Sequence, residues 1–195
     1  MIKCHRMKNF IKGGIIIKRK YYIIGTILLF IITMYWVNFS PWSSAELAKY
    51  NDGYGTFDMK SYNSDIAYNV LDHMEPQGFA IYKKYFIGDY LFAFAFGALQ
   101  IILLYHAFNW SKLKILLCLI PLIPVCRGLC DLIENTSLLY SLLTYPIRHE
   151  SLINFAAIIT SIKLVLIYAW YFLVILGYIM KALIRRKEKP NKTGA

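Results

Sequence analysis

Charge is scarce in this chain and unevenly placed. Only 17% of its 195 residues are Asp, Glu, Lys or Arg, while 58% are apolar. An ordinary soluble domain carries about 25% charge. The excess of apolar residues is too large for one soluble core, and it excludes a soluble enzyme or a nucleic-acid binder. Cysteine offers no framework either. Cys4, Cys118, Cys126 and Cys130 all lie outside the long polar segment at 40–84, so no disulfide scaffold is implied. Cys126 and Cys130 share a helix face at i, i+4, but two thiols do not complete a metal shell. His5, His73, His106 and His149 show no ligand spacing. The chain also lacks a P-loop, a Ser-His-Asp set and a His-rich box, which leaves nucleotide-driven, hydrolytic and metal-dependent chemistry without residue support. No metal or other cofactor is expected.

What the chain has instead is four long apolar runs. A membrane-crossing helix needs roughly 20 mostly apolar residues. The runs fall at about 21–39, 85–108, 115–143 and 152–180. The first ends in Trp36, Asn38, Phe39 and Pro41 rather than in a small-residue cleavage site, so it reads as a retained span. The expected fold is all-α: a polytopic four-transmembrane-helix bundle forming a single membrane domain over 1–195. Residues 40–84 form an extracytoplasmic loop, and 181–195 a basic cytoplasmic tail. Within the loop, Ser64-Asp65 reads as a helix N-cap. Ile66, Val70 and Met74, with Ala67 and Leu71, then recur at i, i+4 spacing. That pattern predicts a short amphipathic helix on the membrane or over the bundle mouth, ended by Pro76, with 77–85 leading helically into the second span.

The basic residues orient the bundle. Fifteen Lys and Arg lie before the first span, between the second and third, or in the tail, against five in the other two loops. Because Lys and Arg stay on the cytoplasmic side of short loops, both termini are expected inside. The net charge of +11 then reflects topology and contact with lipid head groups. No nucleic-acid partner is expected.

Ionisable groups within the spans carry the functional information. Arg127, Asp131, Glu134 and Lys163 sit deep in the third and fourth runs. Unpaired, they would cost roughly 10–14 kcal/mol together, comparable with a typical domain's whole stability of about 5–15 kcal/mol. They must pair, line a wet cavity, or both. At about 100° per residue, Arg127, Asp131, Glu134 and Asn135 share an arc of about 100° on the third span. Thr160, Lys163, Ile167, Trp170 and Tyr171 form a comparable face on the fourth, and Asp89 shares a face with Gln100 on the second. At 1.5 Å per residue, Asp131, Glu134 and Lys163 lie ~3, ~8 and ~5 Å to the outer side of the membrane centre. Glu134 is therefore expected to meet Lys163, Arg127 to pair with Asp131, and Asp89 to join from above. Pro121 and Pro124, just before Arg127, predict a kink, either an ordinary one or one that aims the charged segment or frees carbonyls for Arg127. Ala93 and Gly97 form a small-xxx-small pair that lets a neighbouring helix approach.

The run Asp131-Leu-Ile-Glu134-Asn135 resembles a D-x-x-E-N signature carried in the third span by a group of small bacterial four-helix membrane proteins. That group also has a Tyr-rich amphipathic segment after the first span and a Lys in the fourth. Here these correspond to Tyr62–Met74 and Lys163. The resemblance spans most of 57–170. It implies the architecture and the choice of cluster residues, and it implies no activity.

Two readings of the cluster stay open: a site, or ion pairs that set helix register. As a site, Asp89, Arg127, Asp131, Glu134, Asn135 and Lys163 are the candidate ligand-binding residues. A small polar or amphipathic ligand would enter from the outer side and meet Asp89, Glu134 and Lys163. The alternatives are a membrane-embedded enzyme using acid/base chemistry on a lipid-like substrate, and an accessory subunit whose charges pair with another protein's spans. Inverted repeats, the usual mark of active transporters, are not evident. The expected partners are the lipid bilayer, a small molecule or lipid, and a membrane protein or second copy. Ile-, Lys-, Asn- and Tyr-rich usage points to an AT-rich, bacterial genome and so to the plasma membrane.

Overall fold

A computed structural model of the chain describes residues 2–111 and 114–187. Lys112 and the tail beyond 187, both used in the charge count, lie outside the described residues. The described chain is helical, without strands: α1 (Ile2–Phe39), α2 (Ser44–Leu47) followed by one 3₁₀ turn (Ala48–Tyr50), α3 (Ser64–Asp72), α4 (Pro76–Ala107), α5 (Lys114–Leu119), α6 (Leu122–Thr144) and α7 (Glu150–Lys187). Four segments are long and apolar enough to cross a bilayer: Lys20–Tyr50, Pro76–Ala107, Ile115–Thr144 and Glu150–Arg186. The protein is a multi-pass helical bundle, as the four apolar runs require.

Element boundaries differ from the sequence reading at proline and asparagine. Asn63 rather than Ser64 caps α3, its side-chain oxygen accepting the Ile66 N–H at 2.9 Å. Ser64 is already helical, and its N–H donates to Asn154 Oδ1 on α7 at 2.8 Å, which ties α3 to the bundle. Pro76 does not end this helix. α3 stops at Asp72, and Pro76 begins α4, where its missing N–H would have had no intrahelical partner. The third span is not one kinked helix. α5 ends at Leu119 and α6 starts at Leu122, because Pro121 cannot donate to the preceding turn and its ring crowds it. Pro124 is harmless in the first turn of α6.

α4 is the central helix. α6 and α7 pack closely against each other and both touch α4, while α1 lies along α4 alone among the long helices. Residues 40–84 cap one end of the bundle. Ala67, Val70 and Leu71 of α3, and Met74 just after it, turn inward, while Ile66 stays exposed. They pack with Phe57, Tyr82 and Phe86 in one apolar cluster that continues to Leu138 on α6 and Ile153 on α7. The amphipathic helix therefore covers the bundle mouth instead of resting on lipid. A second apolar cluster at the opposite end centres on Leu104, Phe108, Ile120 and Trp170.

Gly88 sets how closely α1 approaches α4. A Cβ there would stand 2.0 Å from Trp36 Cδ1 and 2.5 Å from its Nε1. That indole donates to the Lys84 carbonyl at 3.3 Å, which leaves it little freedom to withdraw. Gly88→Ala is expected to destabilise the detergent-solubilised protein by about 1–3 kcal/mol through overpacking. Gly25→Ala, at a site with nothing within 4 Å, is expected to leave the midpoint unchanged or raise it slightly. Thermal unfolding of the two variants beside wild type checks this.

Candidate functional site

The polar face of α6 turns into the bundle. Arg127, Asp131, Glu134 and Asn135 are all buried, Glu134 completely. Spacings of three and four residues stack them along one side of the helix, which is why a single helix supplies a cation, two carboxyls and an amide to one place. α7 contributes Thr160 and Lys163 from one face, and α4 contributes Asp89 and the Ala93 carbonyl.

Lys163 is the hub. Its Nζ lies 2.5 Å from Glu134 Oε2 and 3.2 Å from Asp131 Oδ1, and it also donates to Asp58 Oδ1 from the capping segment. Asp131 is shared: its other oxygen takes Arg127 Nη1 at 2.5 Å. Arg127 Nη2 donates to the Ala93 carbonyl of α4 at 2.9 Å, and its guanidinium stands 4.8 Å from the Phe96 ring centroid. The carbonyl that Arg127 reaches is therefore on the neighbouring helix, not one freed by the prolines of its own span. Gly97 lies beside the guanidinium, where a Cβ would stand 3.8 Å from Arg127 Nη2, an ordinary contact distance.

Two hydroxyls complete the shell around Glu134. Thr160 donates to Glu134 Oε1 at 2.7 Å. Tyr62, 3.2 Å from Thr160 Oγ1, supplies the next hydrogen bond in the chain. Burial pushes the Tyr62 hydroxyl above the ordinary tyrosine range, so it stays protonated. Asp89 stands apart from both cations. Its Oδ2 accepts from Asn135 Nδ2 at 2.6 Å.

The structure thus brings all six sequence-derived residues together, with the Glu134–Lys163 and Arg127–Asp131 pairs formed as their depths and faces imply. Gln100 does not join. Eleven residues below Asp89, it is fully buried, and its side-chain amide has no hydrogen-bond partner among the described residues. Sequence reasoning did not identify Asp58, Tyr62 or the Ala93 carbonyl as parts of the cluster. Asp58 lies in irregular chain between Phe57 and Met59, where no periodicity marks a direction. Buried Gly55, Thr56 and Phe57 just before it show that this stretch enters the core. Oxygens of Asp58, Asp131 and Glu134 lie within 4.8 Å of one another, the spacing of a cation cage. The Lys163 ammonium, in contact with all three, takes the place a metal ion would need.

A cavity of about 400 Å³ borders the cluster. Asp58, Asp89, Arg127, Asp131 and Lys163 form its polar wall. Phe30 and Met34 of α1, Phe92 and Phe96 of α4, and Ile167 and Tyr171 of α7 form the apolar one. Glu134 is not on the wall. It lies behind Lys163 and holds it. A second groove of about 310 Å³, between α4 and α6, is lined by apolar and small residues.

Removing the hub leaves three carboxyls around an empty position. Lys163→Met is expected to cost about 3–5 kcal/mol, the range for breaking a buried pair on one side. Adding Glu134→Gln to that variant should recover part of the loss, and Asp58→Asn alone should cost less than Lys163→Met because Asp58 is partly exposed. Denaturant titrations of the four proteins in one detergent decide the ranking. No family model, curated protein or solved structure matches this chain, so its function rests on the cluster's own chemistry.

Proposed function

We propose that this protein binds or carries a small polar or amphipathic ligand in the cavity beside Lys163. One observation carries the reading: a cavity of about 400 Å³ has charged side chains on one wall and aromatic and aliphatic ones on the other. The volume lies within the ~300–1,000 Å³ of small-molecule sites, which are mostly apolar with a few convergent polar groups. Ion pairs that only set register need no such space beside them.

The other two readings have less support. An accessory subunit would leave its polar face toward lipid for a partner's spans, whereas Arg127, Glu134 and Lys163 are each at most 2% exposed. An acid/base enzyme would place its acid against the substrate. Glu134 is instead withdrawn behind Lys163 and held by Thr160.

We place the chain in a bacterial plasma membrane with both termini in the cytoplasm. The Lys and Arg distribution, fifteen against five, supports the orientation. The composition and the D-x-x-E-N run support the source. In that orientation residues 40–84 are extracytoplasmic, and the cluster lies in the outer half of the bundle.

Native mass spectrometry of protein purified in mild detergent tests the binding reading. Wild type is compared with Met34→Trp, which fills the cavity from α1 without touching a charged group. A defined small molecule or lipid that stays with wild type and is lost from the folded variant is the expected result. The same featureless lipid mixture on both proteins would count against a site.

A further inference from the structure

The charges of the cluster do not balance. Four carboxyls, on Asp58, Asp89, Asp131 and Glu134, face two cations, Arg127 and Lys163. Both cations are already engaged: Lys163 by Asp58, Asp131 and Glu134, Arg127 by Asp131. Asp89 is left over. It is 5% exposed and borders the cavity, and its partner is the neutral amide of Asn135. No Lys or Arg lies within 4.0 Å of it among the described residues. A carboxylate at this depth is costly until a positive charge joins it. The surroundings favour such a charge. The rings of Phe30 and Phe92, 5.8 Å apart, line the same cavity, and aromatic faces attract cations. An anionic head group would meet four carboxyls and two cations that are already paired.

The cavity also has a direction. Asp58 and Met59 border it at the capped end. On its side, α1 packs along α4 and α2 but has no packed interface with α7. Met34 of α1 and Tyr171 of α7, on opposite walls, are 40% and 49% exposed. The gap between these helices lies within the apolar spans, so it opens toward lipid rather than toward water.

Building on the ligand-binding reading, we infer that the ligand is a membrane amphiphile with a protonated amine head. The ammonium pairs with Asp89 and lies against Phe30 and Phe92. The apolar chain leaves between α1 and α7 into the bilayer. Asp89 is then the specificity-determining contact, while Lys163, Asp58 and Asp131 belong to the fixed wall and Glu134 holds Lys163 from behind.

The test uses the full chain in phosphatidylcholine nanodiscs at pH 7, with binding read by native mass spectrometry. Dodecylamine, dodecanol, laurate and ethylamine are the probes. Dodecylamine is expected to bind roughly tenfold or more tightly than dodecanol or laurate. Asp89→Asn should erase that preference and leave dodecanol binding unchanged. The wild-type comparison among the three dodecyl compounds needs no variant, so it stands even if Asp89→Asn does not fold. Equal binding of dodecylamine and dodecanol would overturn the cationic head group, and an undiminished preference in Asp89→Asn would overturn Asp89 as its contact; either result leaves a ligand cavity. Ethylamine binding as tightly as dodecylamine would overturn the membrane source. If no dodecyl compound binds wild type, the cavity reading fails with it.

Discussion

Everything in the site depends on the Lys163 ammonium being held by three carboxyls. A lone cation there would be among the most expensive groups in the molecule, because a charge within a span is costly unless it is paired. Glu134 and Asp131 offset that cost from α6, and Asp58 does so from the capping segment. One side chain thus joins α7, α6 and the loop. Because the partners come from three separate parts of the chain, helix packing and loop closure cannot vary independently. The loop must reach down for Asp58 to contact Lys163, and α6 must present its charged arc for either pair to form.

The second pair depends on a contact with α4 and a broken helix. Arg127 is tied to α4 through the Ala93 carbonyl at 2.9 Å. The break at Pro121 lets α6 start afresh two turns before Asp131, so its charged arc is set by packing against α4 and α7 rather than by the direction of α5. Gly88 plays a related part for α1, whose Trp36 lies over it. Among the long helices α1 is consequently held along α4, and the cavity lies between α1 and α7. Stability and the open space have a common origin: tight pairing on the α4–α6–α7 side, sparse packing on the α1–α7 side.

The capping segment shows how irregular chain becomes structural in a membrane protein. Its apolar residues gather Tyr, Phe and aliphatic side chains over the bundle mouth, beside the ion pairs. Tyr62 works in both layers. Its ring packs against Phe57 at 5.2 Å, and its hydroxyl meets Thr160 beside Glu134. Burial of Lys163 and Glu134 strengthens their contact, and Lys163 in turn holds the segment down through Asp58.

Much of this was legible in the residues alone. Apolar runs of sufficient length can only be helices in a bilayer, because every backbone polar group must be satisfied within its own segment. The four spans followed from that constraint. The pairing of Glu134 with Lys163 and of Arg127 with Asp131 followed from helical periodicity, since a residue's direction and depth on a regular helix are fixed by its number. Where the chain leaves the helix, that rule ends. Asp58 in a loop, the cap at Asn63, the start of α4 at Pro76 and the complete break at Pro121 depend on contacts with distant residues or on local turns that no periodicity encodes. The sequence by itself determined the helical bundle and which charges must meet. Only the tertiary structure decided that Asp58 completes the lysine's shell, that Glu134 stands behind rather than on the cavity wall, and that α1 leaves a gap beside Asp89, because these depend on how separate segments approach one another in space.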